Sequence, residues 1–98
     1  MQYNFEWNPN KARINAQKHG VTFEEATKVF DDPVALTLFD DEESSDNEDR
    51  WVTLGQVGDR HYLVVVHTYR NASEDTVTIR VISARPATKH EIRQYEEG

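Results

Sequence analysis

Cysteine is absent from this 98-residue chain, which excludes a disulfide framework and any thiolate metal site and fits a reducing compartment. Long apolar runs are absent as well. Only 37% of the residues are hydrophobic, nothing approaches the length of a membrane span, and no charged-then-apolar leader pattern opens the sequence. A cytoplasmic, membrane-free setting is therefore expected. The length suffices for one domain, residues 1–98, with a modest core and no second, cofactor-sized lobe. Glycine (four) and proline (three) are scarce enough that each one marks a particular place.

What the chain has in excess is acid, unevenly spread. The formal net charge is −7, but residues 1–49 carry −8 and residues 50–98 carry +1. Seven acids fall in Asp40–Asp49, a tract with no apolar residue that reads as a solvated loop. The remainder is neutral, with seven arginines and four lysines free to build local positive patches, so the bulk charge says little about local potential. The tract offers oxygen ligands but lacks the spacing and glycine of an EF-hand, and the four histidines are scattered, so no metal site and no cofactor are expected.

Tyr3, Phe5 and Trp7 alternate with polar residues at the period of a half-buried strand. Asn8 as N-cap, Pro9 in the first helical position and Gly20 past the end punctuate a helix from Pro9 to about His19. On it Lys11, Asn15, Lys18 and His19 fall within an arc of roughly 100°, a polar stripe with three potential cations. Thr22 and Glu25 form a capping box for a second helix ending near Phe30. Strands are expected over residues 34–39, 51–54, 62–69 and 76–84, with short connections that favour an antiparallel meander. Pro86 breaks the last strand, and Thr88 with Glu91 opens a closing helix. The fold class is α+β, with two N-terminal helices, a sheet and a C-terminal helix.

The strand at 76–84 running into the capped helix is where chemistry is expected. Arg80 and Arg85 can grip a phosphate with paired guanidinium donors, or each can simply pair with an acid. Strict alternation places them on opposite faces of the sheet, with only the break before Pro86 to reunite them. His67 shares a strand face with Leu63, Val65 and Tyr69 and reads as a core histidine. His19, at a helix C-terminus, is either a dipole-favoured cation or a general acid–base group beside Lys11 and Lys18. Glu91 and Tyr95 share a side of the last helix; capping and packing account for them, though either could line a site near Arg85.

FEWNPNKARINAQKHGVTFEEATKVFDDP at 5–33, DRW at 49–51, LVVVHTYR at 63–70 and IRVISARPATKHEIRQYEE at 79–97 together resemble the BrnT toxin family, in order and over nearly the whole chain. The resemblance implies a RelE-like fold and the ribonuclease half of a bacterial type II toxin–antitoxin pair. Its partner would be a BrnA-type ribbon-helix-helix antitoxin, through which alone the chain would meet DNA. It implies metal-independent cleavage by attack of the ribose 2′-hydroxyl on the adjacent phosphate. On that reading Arg80 and Arg85 stabilise the phosphorane and His19, with Lys11, moves the proton, while Lys18, Arg50, Arg70 and Lys89 bind RNA and Glu91 and Tyr95 support the site. The alternative is a catalytically inactive member that serves as the partner subunit in an antitoxin repressor complex.

Overall fold

A computed structural model describes residues 2–41, 44, 48–59, 61–71 and 73–98, Asn71 through its backbone only. In chain order the elements are β1 (Gln2–Glu6), α1 (Pro9–His19), α2 (Phe23–Ala26) continued by a 3₁₀ turn (Thr27–Asp31), β2 (Leu36–Phe39), β3 (Trp51–Val57), β4 (His61–Asn71), β5 (Thr76–Pro86) and α3 (Lys89–Glu97). The five strands form one sheet in the order β1-β5-β4-β3-β2. Strands β2 to β5 are the expected antiparallel meander, and β1 adds to its far edge in parallel with β5, Glu6 opposite Arg80. Of the acidic tract, residues 42, 43 and 45–47 lie outside the described residues; the rest closes the β2–β3 connection, where Ser44 Oγ accepts from the Arg50 amide (2.8 Å) and donates to the Asp40 carbonyl.

Helix punctuation follows local chemistry. The Asn8 side chain accepts from the amides of Asn10 and Lys11, and Gly20 takes the left-handed conformation (φ 70°) that ends α1. The second helix is shorter than its capping box promises. Four residues are α-helical, then Thr27 Oγ1 bonds back to the Glu24 carbonyl (2.7 Å) and the chain tightens into the 3₁₀ turn. That turn lies against β3 at Gly55, where a Cβ would come within 2.9 Å of Val29 Cβ, so only glycine fits there without displacement.

The two faces of the sheet are unequal. The inner face, covered by α1, α2 and the 3₁₀ turn, holds the core: Val21, Phe23, Ala26 and Val29 against Leu63, Val65, Val81 and Ala84. His67 is fully buried there, its Nε2 2.7 Å from Thr53 Oγ1, and burial pushes its pKa down to about 4. Among the described residues the outer face is covered only at one end, by α3, which stacks Tyr95 against Tyr62. The Tyr95 hydroxyl donates to Asp32 (2.6 Å), whose carboxylate also accepts from the amides of Gln56 and Val34. Partial burial raises the pKa of Asp32, but those three donors outweigh it and the net shift is downward.

Asn15 departs from the polar stripe read along α1. It is buried, and its amide group replaces a missing strand: Oδ1 accepts from the Ala84 amide (3.1 Å) while Nδ2 donates to the carbonyls of Ala84 (2.8 Å) and Val21 (3.1 Å). The reason is the length of β1, which pairs with β5 only up to Arg80 and leaves the edge of β5 beyond it without a strand.

Candidate active site

The sheet register overturns one expectation from strand alternation. Val66 pairs with Ser83 but His67 pairs with Val81, so Ile82 is an extra residue, a β-bulge that shifts the parity of β5 by one. Arg80, opposite Thr68 and Glu6, and Arg85, opposite Val64, therefore share the outer face, not opposite ones. Their spacing along the strand is still about 13 Å by the rise of a β-strand, and each has its own carboxylate.

Arg80 belongs to a triad. Glu6 accepts from Arg70 Nη2 through one oxygen (2.7 Å) and from Arg80 Nη1 through the other (3.0 Å). Parallel pairing of β1 with β5 sets Glu6 beside Arg80, and antiparallel pairing of β4 brings in Arg70. The triad lines an open groove of about 450 Å³ with Thr68, Thr78, Glu48 and Asp49. Two guanidiniums thus face three carboxylates in one depression. Glu48 is itself held by Arg50 Nε (3.1 Å). All three members of the triad are part-exposed, so their pairing contributes little to folding and remains exchangeable with a phosphate.

Arg85 forms a fork with Glu91, Nη1 to Oε1 at 2.8 Å and Nη2 to Oε2 at 2.9 Å, and Glu91 also caps α3 by accepting from the Thr88 amide (2.9 Å). The Arg85 bond holds the Glu91 carboxyl at about 2 and raises the pKa of Arg85. This pair ties the end of β5 to α3. The hydrogen bond to Asp32 pushes the Tyr95 hydroxyl up to about 12.

The remaining sequence-predicted residues lie elsewhere. His19 is half-buried and lines a separate depression of about 390 Å³ with His61, Tyr62, Pro86 and Ile92; Lys11 does not border it and is exposed in the first turn of α1. Lys18 and Lys89 are exposed on α1 and α3. The triad groove thus gathers Arg70 and Arg80, with Arg50 behind Glu48, and leaves His19, Lys11 and Arg85 outside. Glu6 is the residue that sequence reasoning missed. Its signal was weak, a lone acid between Phe5 and Trp7 in a short strand, and only the parallel register gives it two arginine partners. Among the described residues no three His, Asp or Glu side chains converge in a way that would hold a metal ion.

Comparison with known proteins agrees with this architecture. The profile of the family described as "Ribonuclease toxin, BrnT, of type II toxin-antitoxin system" matches residues 7–91. The crystal structure of the Brucella abortus ribonuclease toxin BrnT superposes with a TM-score of 0.63 at 18% sequence identity, covering 91% of this chain and all of that one. That likeness carries the fold. No curated protein matches the chain.

Proposed function

Since the chain belongs to the BrnT family of type II ribonuclease toxins, we propose that it cleaves RNA without a metal ion in the groove of Arg70, Glu6 and Arg80, with a BrnA-type ribbon-helix-helix antitoxin as its inhibitor. The observation that carries the reading is the triad itself: two guanidiniums 2.7 and 3.0 Å from the two oxygens of one carboxylate, on an open sheet face. The guanidiniums bind the non-bridging oxygens of the scissile phosphate and stabilise the charge that grows there as the phosphorane forms. Glu6, released from its pairing, takes the proton from the ribose 2′-hydroxyl. The 2′-oxygen bonds to phosphorus, the P–O5′ bond breaks, and the leaving oxygen takes a proton from water. The products carry a 2′,3′-cyclic phosphate and a free 5′-hydroxyl. This chemistry extends the expected RelE-like mechanism to a base that lies within the groove. Target RNA and antitoxin would both be met in the bacterial cytoplasm.

One observation favours a second arrangement. His19 and His61 border the same depression, and a pair of imidazoles is chemically suited to proton transfer. Cleavage of a mixed RNA pool in chelator by the partner-free protein, Arg80→Ala and His19→Ala separates the two. Loss of about 10²–10³ in rate for Arg80→Ala, with His19→Ala active and cyclic-phosphate ends on the products, supports the triad groove. The reverse pattern moves the chemistry to the histidines. No cleavage by the parent, with or without ribosomes, leaves an inactive subunit of an antitoxin complex.

A further inference from the structure

Helix α1 does more than cover the inner face. It runs beside β5 along the length that β1 leaves free: the chain leaves β1 at Glu6, opposite Arg80, Asn15 bonds the edge of β5 at Ala84, and His19 and Gly20 border one depression with Pro86 and Ala87. Ala12 packs against the core. With 3.6 residues per turn, the positions round the helix pass from Ala12, turned to the core, through Asn15, turned to the sheet edge, to Lys11 and Lys18, about 40° and 60° farther on. The two lysines therefore stand past the edge of β5, on the side of α1 that continues the outer face, where the bulge at Ile82 also sets Arg80 and Arg85. Arg13 lies across the helix, about 160° from Asn15. Of the helical segments described, α1 alone carries no acid. Arg50, Arg70, Arg80 and Arg85 each hold a carboxylate, whereas Lys11 and Lys18 are exposed and form no ion pair among the described residues. Ile14, 56% exposed, neighbours both on the helix surface, three residues from Lys11 and four from Lys18.

The geometry points to a track for single-stranded RNA that leaves the triad groove at Arg80 and follows the edge of β5 beside α1, with Lys11 and Lys18 each taking a phosphate and Ile14 the apolar side of a base or ribose between them. This deepens the nuclease reading and rests on it for the scissile phosphate at Arg80. The row of cations selects the occupant. It starts at the guanidiniums of the groove, so a strand held there by one phosphate carries its next phosphates along the same edge. The lysines stand about 10 Å apart along the helix axis, with the apolar residue between them, and charge alternating with apolar surface is what a polynucleotide presents. An ammonium on a flexible stem holds phosphate as a point charge, without the paired geometry of arginine. Contacts of this kind position a backbone and read no sequence. The track therefore makes affinity depend on the length of the RNA and on salt, and a chain of net charge −7 confines that attraction to one margin of one face.

Fluorescence anisotropy with 2′-O-methyl oligouridylates of three and twelve nucleotides tests the track, since a blocked 2′-oxygen cannot attack and binding is read apart from cleavage. At low salt, lengthening the probe from three to twelve nucleotides tightens binding to the parent by about thirtyfold or more, and to the double variant Lys11→Gln, Lys18→Gln by about threefold or less. The slope of log affinity against log salt for the longer probe falls in that variant by about 1.4, the share of two phosphate contacts on a single strand. Arg13→Gln with Lys28→Gln removes the same charge from exposed residues off the track and weakens the longer probe by less than about threefold. Equal losses from the two double variants overturn the proposal, because net charge and not place would then decide. So does a parent that gains nothing from the longer probe, or a glutamate dodecapeptide that binds the parent as tightly as the RNA and is lost with the lysines, which would make the surface a contact for an acidic polypeptide. Cleavage of the unmodified twelve-nucleotide RNA by the parent keeps the two readings apart. Cleavage with a length gain that survives loss of the lysines sinks the track alone, and a lysine-dependent length gain without cleavage sinks the nuclease reading alone.

Discussion

The two faces of the sheet are built from the same strands and follow opposite rules. The inner face buries Phe23, Val29, Val65 and Ile79 completely, admits Asn15, Thr53 and His67 hydrogen-bonded to neighbours, and is closed by α1, α2 and the 3₁₀ turn. The outer face carries Arg70, Arg80, Arg85, Glu6 and an apolar trough, with one helix across one end. Alternation along β4 and β5 makes the division possible, since each strand gives every other side chain to each face. The bulge at Ile82 keeps it intact, because it holds Ala84 in the core and leaves Arg85 outside. Stability is thus concentrated on one face, and groups free to exchange partners are gathered on the other.

The largest effect that would sharpen this contrast is on the inner face. Phe23→Ala removes a fully buried ring that meets Trp7 edge-on, and is expected to cost about 3–5 kcal/mol in urea unfolding. Asn15→Ala strands the amide and carbonyl of Ala84 and is expected to cost about 2–4 kcal/mol, although α1 by itself would tolerate alanine well. Loss of that size from a residue drawn from the polar stripe of a surface helix would confirm that the amide stands in for β1.

How much of this was legible in the sequence can be argued from such residues. Caps and strand periods were readable because they are local: Asn8, Pro9, Gly20, Thr22 and Thr88 act within a turn of where they stand, whereas Pro86 does not break the last strand as expected, since β5 runs through it in register with Leu63. Arg80 was readable as a candidate by its chemical type. Neither Glu6 nor the role of Asn15 was readable, because both follow from β1 lying parallel to β5 and stopping at Glu6, a pairing between segments some seventy residues apart. The common face of Arg80 and Arg85 was hidden for a related reason. One unpaired residue reverses parity, and Ile82 looks like any other strand former.

A smaller effect concerns pH. Burial holds His67 at about 4 against an ordinary 6.5, so between these values the unfolded chain binds a proton that the folded one does not. Stability is complete above 6.5 and falls as pH drops toward 4, by about 2 kcal/mol between pH 7 and 4.5. Glu91, held at about 2, adds a separate loss only below its ordinary 4.5. Urea midpoints at the two pH values check the His67 share, and His67→Gln should flatten the dependence.

The smallest expected effect lies at the rim of the groove. Glu48→Gln with Asp49→Asn removes two of the three carboxylates that face Arg70 and Arg80. RNA binding at low salt should tighten by about three- to tenfold, and the gain should fade near 0.5 M salt as screening removes the repulsion. A gain that persists at high salt would mean that these side chains act by shape and not by charge.

If the outer face performs the proposed reaction and contributes little to the fold, Glu6→Gln separates the two, since glutamine keeps the shape of the side chain and removes its charge and basicity. Single-turnover cleavage of RNA and urea unfolding are measured on the same preparation. The rate is expected to fall by about 10²–10⁴, in the range lost with a positioned general base, and the stability to stay within about 1 kcal/mol of the parent, as for an exposed ion-pair group. Unchanged cleavage would contradict the assignment of Glu6 as the base, and a stability loss of several kcal/mol would contradict the division between the faces.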